Sequence, residues 1–211
     1  MSHFFLVFEG LDGSGKSAIC TRLAAHLAAR CGTERVLHSF EPHDPSAAGG
    51  FIRDALAKRI ATSTRTLALA FALNRMDHNE RVITPFLQSG DERIVLCDRY
   101  ILSSLVYQGM AGADLSIEAV AALNVGVRMP DLTLFLDATP EVCYARMGSR
   151  GGTRELYEER LTDIRARYHH AIDWMRDHGS AITAIDADPD METVFASVLD
   201  ALRSAPAWLH G

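Results

Sequence analysis

Gly10-Leu11-Asp12-Gly13-Ser14-Gly15-Lys16-Ser17 puts four unconstrained residues between two glycines and follows them with a lysine and a hydroxyl. That is the spacing of a phosphate-binding loop. Glycines let backbone N–H groups approach an anion, the lysine reaches the β- and γ-phosphates of a nucleoside triphosphate, and the serine hydroxyl is a ligand for Mg²⁺. The loop follows the apolar run HFFLVF at 3–8 and opens the helical pattern SAICTRLAAHLAARC at 17–31, so a helix N-terminus faces the anion. A purely structural glycine turn would leave Lys16 without a purpose. Phosphoryl transfer or hydrolysis with ATP and Mg²⁺ is the chemistry this segment predicts.

Other residues must choose among the users of such a loop. Guanine-specific switch proteins carry an Asn-Lys-x-Asp motif, and no asparagine here is followed by lysine. Asp98-Arg99-Tyr100 ends a second apolar run, RIVLCD at 93–98, which sets Asp98 beside the loop as a carboxylate for the Mg²⁺ shell. The planar fork of Arg99 suits two-point contact with a second phosphate. Phe71 and Arg75 lie four apart and share a helix face; taken alone, Phe71 within LALAFAL reads as core. Arg146, Arg150 and Arg154 surround Gly148, Gly151 and Gly152, which predicts a lid over about 146–155 with cations on a permissive backbone.

Buried parallel strands are predicted at 3–8, 93–98 and 132–137, with weaker candidates at 35–40 and 181–186. Helical patterns cover 17–31, 66–90, 116–128 and 155–179, and a further amphipathic one closes the chain from Pro189. The alternation implies an α/β fold, a five-stranded parallel sheet with helices on both faces, in one domain over the 211 residues. Functional loops of such sheets gather at the carboxyl ends of the strands.

A net charge of −6 disfavours nucleic acid as a partner, since counterion release needs unneutralised cations. Cys20, Cys31, Cys97 and Cys143 have no CxxC spacing and read as reduced thiols, which points to the cytoplasm. MSHFFLVF lacks a basic leader and no apolar stretch nears 18 residues, so neither secretion nor a membrane is expected. His169-His170 lacks the partners of a metal site, because adjacent helical side chains diverge.

FEGLDGSGKS, FEP, LAFALNR, LCDRYILSSLVYQG and PDLTLFLDATPEV occur in an order and at spacings that resemble the thymidylate kinase family. The resemblance implies a P-loop nucleoside monophosphate kinase fold, transfer of the γ-phosphoryl group of ATP to dTMP, and a homodimer. It implies that Arg99 clamps the acceptor phosphate, that Phe71 and Arg75 hold the nucleotide, and that Ser103, Ser104 and Gln108 face the base. Asp12 matches an acid directed at the deoxyribose 3′-hydroxyl, Glu41 one that supports the acceptor phosphate, Arg53 a position near the base and Tyr168 a tyrosine near the nucleotide. Two departures stand out. Phe40 replaces an arginine before Glu41-Pro42, and Gly13 stands where some members have a catalytic arginine, so Arg150 and Arg154 are expected to supply it from the lid. A kinase of the same fold acting on another pyrimidine monophosphate or a deoxynucleoside is the alternative, and a nucleotide-sensing regulator a remote one.

Overall fold

Strand β1 (His3–Gly10) is buried at every residue from Phe4 onward. Successive side chains of a strand point to opposite faces, so a fully buried strand must have both faces covered. The computed structural model describes residues 2–109, 115–148 and 161–209. In it β1 is the centre of a parallel five-stranded sheet with β2 (Val36–Phe40), β3 (Arg93–Asp98), β4 (Leu132–Asp137) and β5 (Ile182–Asp186), in the order β2-β3-β1-β4-β5. All five strands match the predicted ones.

Register brings the chemistry together. Phe8 pairs with both Asp98 and Leu134, and Phe40 pairs with Asp98. The phosphate loop after β1, the Glu41 turn after β2 and the Asp98-Arg99 turn after β3 therefore emerge side by side at the carboxyl end of the sheet, where the connections leaving the adjacent strands β1 and β3 run in opposite directions.

Helix α1 (Lys16–Cys31) buries Ile19, Cys20, Leu23, Ala24 and Leu27, one helical stripe, against β1, β2 and β3. Helix α2 (Gly49–Leu56), which the hydrophobic pattern did not announce, packs on α3 (Thr64–His78). The predicted helix at 66–90 starts earlier, at Thr64, because the Ser63 side chain accepts from the Thr66 N–H and caps it. It is also not uniform. Asn79–Ile83 widen into a π-turn before α4 (Thr84–Gln88), since Pro85 has no N–H to return to the Arg81 carbonyl.

Helices α5 (Ile101–Tyr107), α6 (Ile117–Leu123) and α8 (Leu161–Asp177) pack together, α6 ending five residues short of the predicted 128. Helix α7 (Pro140–Gly148) was not predicted and takes in the first residues of the expected lid: Arg146 is a helix residue whose guanidinium donates to the carbonyls of Ser14 (3.3 Å), Ala187 (2.9 Å), Asp188 (3.2 Å) and Pro189 (2.9 Å), while the expected lid from 149 onward lies outside the described residues. Helix α9 (Met191–Ala201) closes the fold beside α1 and β5.

Cys20, Cys97 and Cys143 are buried and burial pushes their thiols up, that of Cys143 to about 11, whereas Cys31 is partly exposed. The thiolate is the reactive form. At pH 7 a maleimide should therefore modify Cys31 first, and the other three only when denaturant opens the fold, as read by mass spectrometry.

Candidate active site

A cavity of about 660 Å³ opens where β1, β2 and β3 end. Its donor side is the phosphate loop. Gly13 and Gly15 have φ of 87° and 93°, a region closed to most side chains, and Gly15 then caps α1. The main chain of Gly10, Leu11, Gly13, Ser14 and Gly15 forms the cradle, and the Leu11 side chain faces the core. Lys16, nearly buried, donates to the Leu11 carbonyl at 3.2 Å and to Asp12 Oδ1 at 3.3 Å.

Gly13 is also sealed. A Cβ there would lie 2.6 Å from the Cys143 carbonyl oxygen and 3.0 Å from its Cα, so α7 excludes any side chain at this position. Arg150 and Arg154, expected to compensate from the lid, lie outside the described residues.

Ser17 Oγ donates to Asp98 Oδ2 across the end of β3, and Asp98 Oδ1 is buried with no hydrogen-bond partner among the described residues. A hydroxyl beside a carboxylate with a spare buried oxygen is an all-oxygen donor set that fits a hard cation such as Mg²⁺.

Arg99 faces this pair from the acceptor side. Its φ of 69° is uncommon for a non-glycine residue and is held by its own N–H donating to the Phe8 carbonyl at 2.8 Å. Nη1 donates to Ser103 Oγ (3.1 Å) and to the Tyr168 hydroxyl (3.2 Å), while Nη2 donates to Asp12 Oδ1. Asp12 thus takes both Lys16 and Arg99. Burial alone would raise its pKa, but the two cations outweigh that and hold the carboxyl far below the usual carboxylate range.

Arg75 is the most enclosed cation, with 1% of its side chain exposed. Nε donates to Glu41 Oε2 (2.8 Å), Nη1 to Asn124 Oδ1 (2.6 Å), and Nη2 to the Tyr100 carbonyl (3.2 Å) and Ser104 Oγ (3.0 Å). Its guanidinium carbon also sits 5.2 Å from the centre of the Tyr100 ring. Four of its five N–H groups are therefore committed to the protein, which makes Arg75 a fixed wall. The other oxygen of Glu41 lies 3.3 Å from His78 Nδ1, whose Nε2 is 2.7 Å from Ser39 Oγ. Because a carboxylate only accepts, His78 donates from Nδ1 and receives the Ser39 hydroxyl at Nε2.

Phe71 lines the cavity and also packs on Ile52, Ala55, Leu67 and Ala70, so both of its sequence readings meet in one side chain. Gln108 lines it with a buried Oε1 that has no partner among the described residues. Arg53, paired with Asp44, stands at the rim with Phe40. Ser103 and Ser104 are on the wall as well, whereas Tyr168, fully buried, stands behind Arg99 and not on the wall. Glu9, Tyr100, His78 and Asn124 were missed. Only Glu9 carried a signal, an acid inside an otherwise apolar strand, since a buried carboxylate must be answered.

A phosphate loop and an Asp-Arg turn at the carboxyl end of a five-stranded parallel sheet, with a second set of cations lining the same cavity, define a P-loop kinase of a small phosphorylated acceptor. The thymidylate kinase family model matches residues 8–198, and the chain belongs to that family, whose members use ATP to phosphorylate dTMP. It is 37% identical to a putative thymidylate kinase of Treponema pallidum, with 95% of each chain covered, and 37% identical to the thymidylate kinase of Ruegeria pomeroyi, covering 93% of this chain and 92% of that one. The solved thymidylate kinase of Ehrlichia chaffeensis superposes with a TM-score of 0.72 at 26% identity, over 96% of this chain and 99% of the other. No helix among the described residues is long and apolar enough to cross a membrane.

Removing one partner of a buried pair strands the other charge. Arg75→Ala should lower the unfolding free energy by about 3–5 kcal/mol, whereas Arg203→Ala, at an exposed pair with Asp200, should change it by less than about 1 kcal/mol. Urea unfolding followed by circular dichroism separates the two.

Proposed function

We propose that this chain transfers the γ-phosphoryl group of ATP to the 5′-phosphate of dTMP in the cavity at the end of β1, with the donor held by the phosphate loop and the acceptor by Arg99. One observation carries the reading: Lys16 from the loop and Arg99 from β3 converge on a single carboxylate, Asp12. Cations for two phosphates therefore meet within the span of one small group. A triphosphate and a monophosphate repel each other, and opposing that repulsion while charge spreads over the transferring group is the main catalytic task.

Asp12 occupies donors that the phosphates require. On binding, the ATP phosphates take Lys16 and the acceptor phosphate takes the Nη2 edge of Arg99, which frees Asp12 to accept from the sugar 3′-hydroxyl. The acceptor oxygen is already anionic near neutral pH, so no general base is needed. Glu41 acts by fixing Arg75, and through it Ser104 and the Tyr100 carbonyl, on the wall facing the nucleotide. Phe71 stacks on the pyrimidine, the spare Gln108 Oε1 accepts from its ring N–H, and Arg53 closes the rim. Ser17 and Asp98 would hold Mg²⁺, which would supply positive charge against the phosphates. Arg150 and Arg154 supply the cation that position 13 excludes.

A second copy of the chain covers Leu69 and Leu73, which stand 51% and 54% exposed four residues apart on α3, giving a homodimer. Four free cysteines suit a reducing cytoplasm. The chain works as a single unit, with neither nucleic acid nor membrane as partner.

ADP release measured with ATP-Mg²⁺ and a panel of dTMP, dUMP, dCMP, UMP and thymidine should give the highest kcat/KM with dTMP; turnover independent of dTMP would overturn the reading. Arg99→Ala should cut kcat/KM for dTMP by about 10²–10³-fold while the KM for ATP changes little. Metal dependence is a separate test. Chelation by EDTA should abolish turnover, and Asp98→Asn should raise the Mg²⁺ concentration needed for half-maximal rate; an unchanged requirement would remove Asp98 from the metal site.

A further inference from the structure

Glu9 is fully buried, yet it is not on the cavity wall and no step of the transfer uses it. Its two oxygens are divided between two tasks. Oε1 accepts from the Tyr100 N–H (2.9 Å) and the Ser103 N–H (2.9 Å), capping the start of α5 from a different strand. Oε2 accepts from the Ser103 hydroxyl (2.6 Å) and the Tyr168 hydroxyl (3.1 Å). These are the same two hydroxyls that receive Arg99 Nη1.

The direction of the bonds that join Glu9 to Arg99 follows from inventory. An ionised carboxylate only accepts and a guanidinium only donates, so a hydroxyl that joins them points its hydrogen at Glu9 and its lone pairs at Arg99. Ser103 and Tyr168 each have one hydrogen: that of Ser103 goes to Glu9 at 2.6 Å, and that of Tyr168 has Glu9 at 3.1 Å as its nearer acceptor and the Gly10 carbonyl at 3.3 Å as a second. Each is thereby turned into an acceptor for Arg99, and both hydrogens of Nη1 are anchored.

We propose that Glu9 is a positioning residue for the acceptor clamp: acting through Ser103 and Tyr168, it fixes the Nη1 edge of Arg99 so that the Nη2 edge, which donates to Asp12, can be presented to the acceptor phosphate. The inference rests on Arg99 being that clamp. It also accounts for a charge kept out of water. Burial pushes the Glu9 pKa up, and the Arg99 charge together with these hydrogen bonds opposes the rise. Tyr107 and Cys97 are the other titratable groups near enough to feel the Glu9 charge. Without the carboxylate, both hydroxyls are free to turn their hydrogens toward Arg99. A guanidinium held by two misdirected hydroxyls loses its aim, and misplacement of about 1 Å costs a positioned group about 10²-fold in rate.

The test is Glu9→Gln in the full chain, whose remaining carbonyl oxygen still accepts from the two backbone N–H groups and so keeps the start of α5. Steady-state kinetics should show kcat/KM for dTMP lowered by about 10- to 100-fold with the KM for ATP within about twofold of the parent. In an Arg99→Ala background the same change should cost less than about threefold, because the side chain it positions is gone. Undiminished use of dTMP, equal losses for both substrates, or full additivity with Arg99→Ala would each overturn the proposal. If Glu9→Gln does not fold, Tyr168→Phe and Ser103→Ala read the same relay: each should lower dTMP use selectively, and parent-level kinetics in both would overturn it. Should Arg99→Ala itself leave dTMP use intact, the clamp reading fails; should only the Glu9, Ser103 and Tyr168 variants do so, the relay alone fails.

Discussion

A guanidinium or ammonium taken out of water must be answered by an anion, and that constraint organises this end of the molecule. Lys16, Arg75 and Arg99 are nearly buried where β1, β2 and β3 end, and each meets a carboxylate from another element or turn. Lys16 and Arg99 share Asp12, and Arg75 has Glu41. An unanswered charge at these depths would cost several kcal/mol, a large part of a domain's net stability. The sheet register serves the same need, because aligning Phe8, Phe40 and Asp98 brings those charges within reach of each other.

Arg75 and Arg99 are handled differently. Arg75 commits four of its five N–H groups to Glu41, Asn124, Ser104 and the Tyr100 carbonyl, so it forms a rigid wall. Arg99 is anchored along one edge and met on the other by a side chain that can rotate away. A strained backbone holds its base, as expected where a functional side chain is aimed and not merely packed. The proposed binding of substrate would therefore exchange one set of ion pairs for another without exposing naked charge.

Residues fixed by short-range spacing were legible in the sequence: the phosphate loop, Asp98-Arg99 at a strand end, and Phe71 with Arg75 on one helix face. All five strands were legible too, since fully buried parallel strands are continuous apolar runs. Glu9, Tyr100, His78 and Asn124 were not, because Tyr100 and Asn124 meet Arg75 across 25 and 49 positions, His78 meets Glu41 across 37 and Glu9 meets Tyr168 across 159, and no local pattern encodes such pairing. Helix α7 escaped because its end runs into the glycine- and arginine-rich stretch from Arg146, which resembles a loop, while Arg146 in fact ties it to the carbonyls after β5. The widened turn at Asn79–Ile83 leaves only one trace in the sequence, Pro85, which is ambiguous between a kink and a helix end.

The contact between Gly13 and the backbone of Cys143 bears on how this fold could change over evolutionary time. Some relatives by resemblance place an arginine in the loop, and here that route is closed by main chain, which cannot be trimmed by substitution. An arginine arriving at position 13 would have to displace α7, and with it the guanidinium of Arg146 and the loop after β5 that it clasps. Supplying a cation from the loop would thus require a rearrangement of this scaffold that no single residue exchange can accomplish.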